Sequence, residues 1–197
     1  MKKKPWPDVP RLLRMRARVG DLQQGIATSV TAFLAWKAFL ITAKSQGSGS
    51  ERDKCIPRIA EAIGAATECS SAAVAFASAL EHLAAQSNAQ IAEWLASDAD
   101  EVPARDAKVA RFKREVRRLS RRELDGSLSE EGRFLVAGCA FAIRNSVLAH
   151  GSVHSTDGLF AHVVPAFDEF VCAVACQGYA KQIGATFSEA RLDWADQ

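Results

Sequence analysis

The amino-acid sequence predicts an all-α protein, an up-and-down bundle of about five or six helices, on three observations. Apolar residues recur at spacings of three and four along most of the chain. No stretch alternates apolar and polar residues as a half-buried strand does. The interruptions are short clusters of Gly, Ser, Asp and Pro, as expected between packed helices. At 197 residues, 48% hydrophobic and 24% charged, the chain suits one domain, residues 1–197, with 1–7 as a basic N-terminal tail.

The elements follow in order. From Val9 to Lys44, Leu12, Val19, Leu22, Ile26, Val30, Phe33, Phe39 and Leu40 mark one long helix or two in line, with Gly20 and Gly25 as bends. Residues 46–50, Gln-Gly-Ser-Gly-Ser, form a loop, and Pro57 suits the first turn of a helix running through an Ala-rich stretch toward Leu83. Ala89 to Leu95 is a short amphipathic segment, followed by an acidic loop from Ser97 to Pro103. Lys108 to Arg122 is a basic helix stopped by Asp125 and Gly126. Ser127 and Glu130 have capping-box spacing, and the apolar helix they open stops at Gly151. After a polar connection, Leu159 to Phe187 resumes an apolar helix with Pro165 in its first turn or two.

Charge is segregated behind a net of +2. Residues 1–18 hold seven Lys or Arg against Asp8, and residues 105–122 hold nine against Asp106 and Glu115. Two basic segments on an acidic remainder raise the odds of a polyanionic partner, with nucleic acid first, and a solvated helix face is the equal alternative. Lys37, Glu68 and Arg144 interrupt the most apolar runs, so no membrane span is expected. The first residues lack the apolar segment of a secretory signal, and five cysteines at unpatterned spacings, Cys55, Cys69, Cys139, Cys172 and Cys176, read as packed free thiols; both point to the cytoplasm.

The chemistry concentrates near residue 144. Between Arg133 and His150 the only charged side chain is Arg144, followed by Asn145, on a helix otherwise built of Phe, Leu, Val, Ala, Cys and Ile. Such a helix belongs in the centre of the bundle, where Arg144 must pair with a buried carboxylate or look into a polar cleft. His150 lies about 240° around an ideal helix from Arg144, and a helix ending at Gly151 lets its ring swing back from a frayed last turn. There the helix dipole favours the imidazolium.

Residues 144–151, Arg-Asn-Ser-Val-Leu-Ala-His-Gly, resemble the signature of the HEPN superfamily (higher eukaryotes and prokaryotes nucleotide-binding). In that family an Arg, commonly followed by a polar residue such as Asn, precedes a His with four to six residues intervening, near a helix end; five intervene here. The motif covers eight residues, and its helical context extends over about residues 105–187. The resemblance implies a bundle that dimerises to bring two motifs into one cleft, and many active members are metal-independent ribonucleases of toxin–antitoxin or phage-defence systems. It assigns Arg144 to the scissile phosphate, His150 to proton transfer and Asn145 to orienting them. No cofactor or metal is implied. RNA, a second copy and an antitoxin or other protein become the expected partners. Lys108, Arg111, Arg114, Arg118 and Arg122 are then the candidate RNA contacts. Some members carry an acidic residue on an earlier helix, to which the sequence alone assigns no counterpart. The competing reading is a non-catalytic helical scaffold for a protein or nucleic acid, favoured if Arg144 is buried against an acid.

Other constellations carry less. His150 and His154 have helical metal-ligand spacing, but Gly151 interrupts them and only Asp157 is at hand. Cys172 and Cys176 share a helix face among Val and Ala, as core residues do. His154, Ser155, Thr156 and Asp157 read as a capped loop.

Overall fold

The computed structural model describes residues 8–22, 27–43, 50–95, 102–122, 128–144 and 163–195. All-α is the class observed, with nine described helices rather than five or six: α1 (Asp8–Leu22), α2 (Ala27–Ala43), α3 (Glu51–Ala65), α4 (Thr67–Ala84), α5 (Asn88–Leu95), α6 (Val102–Arg122), α7 (Glu130–Arg144), α8 (Val163–Ile183) and α9 (Phe187–Ala195).

The higher count has local causes. The run from Val9 to Lys44 is two helices that pack side by side, not in line. The Ala-rich stretch is broken at Ala66, whose extended backbone (φ −140°, ψ 137°) turns the chain by 116° between α3 and α4. Pro57 lies in the middle of α3, not in its first turn, because Ser50 starts the helix earlier. There the Ser50 hydroxyl accepts from the Asp53 N–H while the Asp53 carboxylate accepts from Ser50 N–H, a reciprocal cap. The same device opens α5 through Ser87 and Gln90, and α9 through Thr186 and Glu189.

The last long helix stops at Gly184 rather than continuing to Phe187. Gly184 takes φ +70°, and Ala185 N–H returns to the Ala180 carbonyl, a Schellman stop that a side chain at 184 would strain. Pro165 is the third residue of α8, as expected. The cap of α7 is Ser129, whose hydroxyl accepts from Gly132 N–H, and not Ser127, which lies outside the described residues. The basic helix begins at Val102, so Val102 and Pro103 belong to it rather than to the acidic loop. The expected stops at Asp125–Gly126 and Gly151 lie outside the described residues.

One contiguous core draws on all nine described helices. Its axis is α8, buried over most of its surface apart from a stripe through Pro165 and Glu169, and packed against α2 and α4. Trp36, Phe39, Phe76, Phe167 and Phe170 form the aromatic centre, with Trp36 stacked on Phe167 at 6.2 Å and Phe76 on Phe170 at 5.3 Å. The central position expected for the Arg144 helix is therefore taken by α8. α7 packs chiefly on α3, burying Val136, Ala137, Ala140 and Ile143 and leaving Phe134 exposed. All five cysteines are buried, and burial pushes the Cys69 and Cys172 thiols up to about 12. No single described helix is long and apolar enough to cross a bilayer.

Candidate functional site

Arg144 is the last described residue of α7. The buried stripe of that helix fixes its rotation, and Ile143 goes into the core beside it. The Arg144 guanidinium lies over two aromatic faces, 5.8 Å from the Trp36 ring and 5.9 Å from Phe141. Its Nη2 is 2.9 Å from Glu51 Oε1, the first residue of α3 after the Ser50 cap. A carboxylate in the first turn is favoured by the positive end of the helix dipole, while Arg144, in the last turn of α7, meets the negative end. Both termini thus support the charges they carry.

The pair is neither buried nor open: the Arg144 side chain is 21% exposed and Glu51 38%. Its alignment is poor as well. Glu51 Oε1 is buried yet accepts no well-formed hydrogen bond among the described residues, despite the short distance to Arg144, and the buried indole Nε1 of Trp36 also lacks a partner there. Two polar atoms without a hydrogen-bond partner among the described residues, Glu51 Oε1 and Trp36 Nε1, thus lie beside one guanidinium on an aromatic shelf. Asn145, His150, Gly151 and the residues up to His162 lie outside the described residues, so the structure places one member of the expected catalytic set.

The basic helix α6 divides by face. Val109, Phe112 and Val116 are buried where it packs on α4 and α5. Lys113 is tied to the fold, its ammonium donating to the Gln86 carbonyl at 2.9 Å. Lys108, Arg111, Arg114 and Arg117 are exposed. At 100° per residue these four span the half of the helix opposite the apolar stripe. The side chains of Arg118 and Arg122 lie outside the described residues. Among the described residues, α6 makes few contacts with α7, so it is a surface distinct from the Arg144 site.

Sequence reasoning missed a second internal charge cluster. Arg16, counted there among the basic N-terminal residues, clamps Asp168 of α8 with two parallel hydrogen bonds of 2.9 Å and reaches Glu169 at 2.5 Å. The Arg16 and Asp168 side chains are 12% and 8% exposed, and the buried Thr31 hydroxyl adds a bond to Asp168. Burial pushes the Asp168 carboxyl above its ordinary value, against the opposing pull of Arg16 and Thr31. At Arg16 burial acts downward, but the hydrogen bond and charge of Asp168 outweigh it and hold the guanidinium above its ordinary value. A readable signal existed: Asp168 and Glu169 are the only charges on α8 before Lys181, the same oddity that drew attention to Arg144.

Among the described residues no three His, Cys, Asp or Glu side chains gather as a metal-binding group. In comparison with known proteins, no family model, no curated protein and no solved structure matches this chain.

Proposed function

We propose that the chain is a metal-independent endoribonuclease of HEPN type, working as a prokaryotic toxin or phage-defence effector. The observation that carries this reading is Arg144 itself: a partly open guanidinium at the end of an apolar helix, on an aromatic shelf, beside an acid from an earlier helix. Glu51 would be the acidic residue that some HEPN members carry there. Arg144 would neutralise the scissile phosphate while His150 takes the proton of the RNA 2′-OH. The 2′ oxygen then attacks phosphorus, the bond to the 5′ oxygen breaks, and that oxygen leaves with a proton. The products are a 2′,3′-cyclic phosphate and a 5′-hydroxyl. An internal nucleophile needs positioning, proton transfer and charge neutralisation, and these side chains offer the last two. Asn145 would orient the phosphate, a second copy would bring two motifs into one cleft, and the exposed cations of α6 would track RNA beyond it.

One observation favours a second reading, the non-catalytic scaffold: Arg144 has an acid at 2.9 Å, as a structural ion pair does. Incubating the purified protein with total RNA separates the two. Cleavage leaving cyclic-phosphate ends, resistant to EDTA and reduced about 10²-fold or more in His150→Ala and in Arg144→Ala at matched folding, is the expected result. RNA left intact by the wild type, or cleaved equally by a well-folded His150→Ala, puts the scaffold first.

A further inference from the structure

α2, α3 and α8 enclose a cavity of about 200 Å³ whose lining is separate from Arg144 and from α6. Its floor is apolar, made by Phe39 of α2, Ala62 of α3 and Val174 of α8, all buried. Its rim is charged. Glu61 bridges Lys181 of α8 and Arg58, the latter at 2.8 Å, and the hydrogen bond from Lys181 holds its carboxyl below the usual range despite partial burial. Among the described residues that line the cavity, two cations, Arg58 and Lys181, stand with one ionised carboxylate.

The third side carries a loosely held amide. Gln182 donates to the Thr42 carbonyl at 3.4 Å, the outer limit for a hydrogen bond, and its Oε1 is buried without a partner among the described residues. A buried acceptor left unsatisfied is costly, so a small rotation that meets a donor in the cavity is favoured. Gly178 belongs to the same wall. A Cβ there would fall 2.5 Å from the Thr42 hydroxyl, so glycine brings α8 close enough to α2 to form this corner.

We propose that this cavity is a binding site for a small aromatic carboxylic acid bearing a hydroxyl group. The ring lies on Phe39 and Val174, the carboxylate meets Lys181 and Arg58, and the hydroxyl donates to Gln182. Size supports the class, because an apolar cavity of about 150 Å³ takes benzene, and the carboxylate sits at the rim outside the apolar floor. The site is independent of the ribonuclease reading and stands or falls without it.

Calorimetric titration with 4-hydroxybenzoate as the probe tests this. The expected result is saturable 1:1 binding, with benzoate, which lacks the donor, and 4-hydroxybenzyl alcohol, which lacks the anion, each about tenfold weaker. Ala62→Phe, which fills the floor, abolishes binding. Should that variant fail to fold, Lys181→Ala on the exposed rim still distinguishes the outcomes, with an expected tenfold loss at an unchanged melting temperature. No saturation by about 10 mM 4-hydroxybenzoate, or equal affinity for all three compounds, overturns the proposal. So does binding that Lys181→Ala leaves unchanged.

Discussion

Among the described residues, arginine–carboxylate contacts centred on Arg16 and on Arg144 join distant helices, and the two are built differently. Arg16 and Asp168 are nearly enclosed, aligned in parallel hydrogen bonds and supported by Thr31 and Glu169. Arg144 and Glu51 are partly open and poorly aligned, with the Trp36 indole Nε1, unpartnered among the described residues, beside them. The first arrangement is what burial demands of charge: full pairing, because desolvation would otherwise exceed the Coulomb gain. The second is more exposed, and one of its oxygens, Glu51 Oε1, has no hydrogen bond among the described residues. The ribonuclease reading proposed above uses the more open of the two arginines.

Mutation of the two pairs should break the symmetry between them. Asp168→Ala leaves Arg16 buried without its main partner and should cost about 3–5 kcal/mol in urea unfolding, whereas Arg16→Met with Asp168→Leu should recover most of that loss. If Asp168→Ala costs no more than a surface change, the enclosed pair is not the anchor of α1 on α8. Glu51→Gln should cost about 1 kcal/mol or less, since solvent screens a pair this exposed. In a cleavage assay the same substitution should change activity more than stability. Equal losses from both pairs would make Arg144 and Glu51 a structural bridge.

Acid sharpens the contrast with a smaller effect. Asp53 is held below its ordinary value by hydrogen bonds from Ser50, and Glu189 by those from Thr186. A depressed carboxylate contributes stability that is present above its unfolded value and lost as pH falls through the folded one. Urea midpoints should therefore fall from pH 5 toward pH 3, and Asp53→Asn with Glu189→Gln should flatten that slope. Because Asp53 caps the helix that presents Glu51, acid should loosen the Glu51 side of the open pair first. A slope unchanged in the double variant would remove the caps as its source.

Much of the fold was legible because its signals are local. The 3.6-residue periodicity acts within a turn or two, so helix character is written wherever it occurs, whereas the caps at Ser50 and Thr186 and the stop at Gly184, equally local, went unread. Breaks were harder. Ala66 has no turn chemistry, and only packing of α3 and α4 on different neighbours explains a 116° bend at an alanine. Of the candidate site, Arg144 stood out as the lone charge on an apolar helix, but Glu51 did not, since nothing around it in the chain distinguishes it from other acids in a first helical turn.

By itself, then, the sequence determined the all-helical class, the segregation of positive charge onto α6 and the oddity of Arg144. Only the tertiary structure decided which helix is central, which acid faces which arginine, and that Arg16 belongs to the interior. The physical reason is range. Periodicity and capping are settled by neighbours a few residues away, whereas Arg16 and Asp168 stand 152 positions apart and meet only because α1 and α8 pack on the same core.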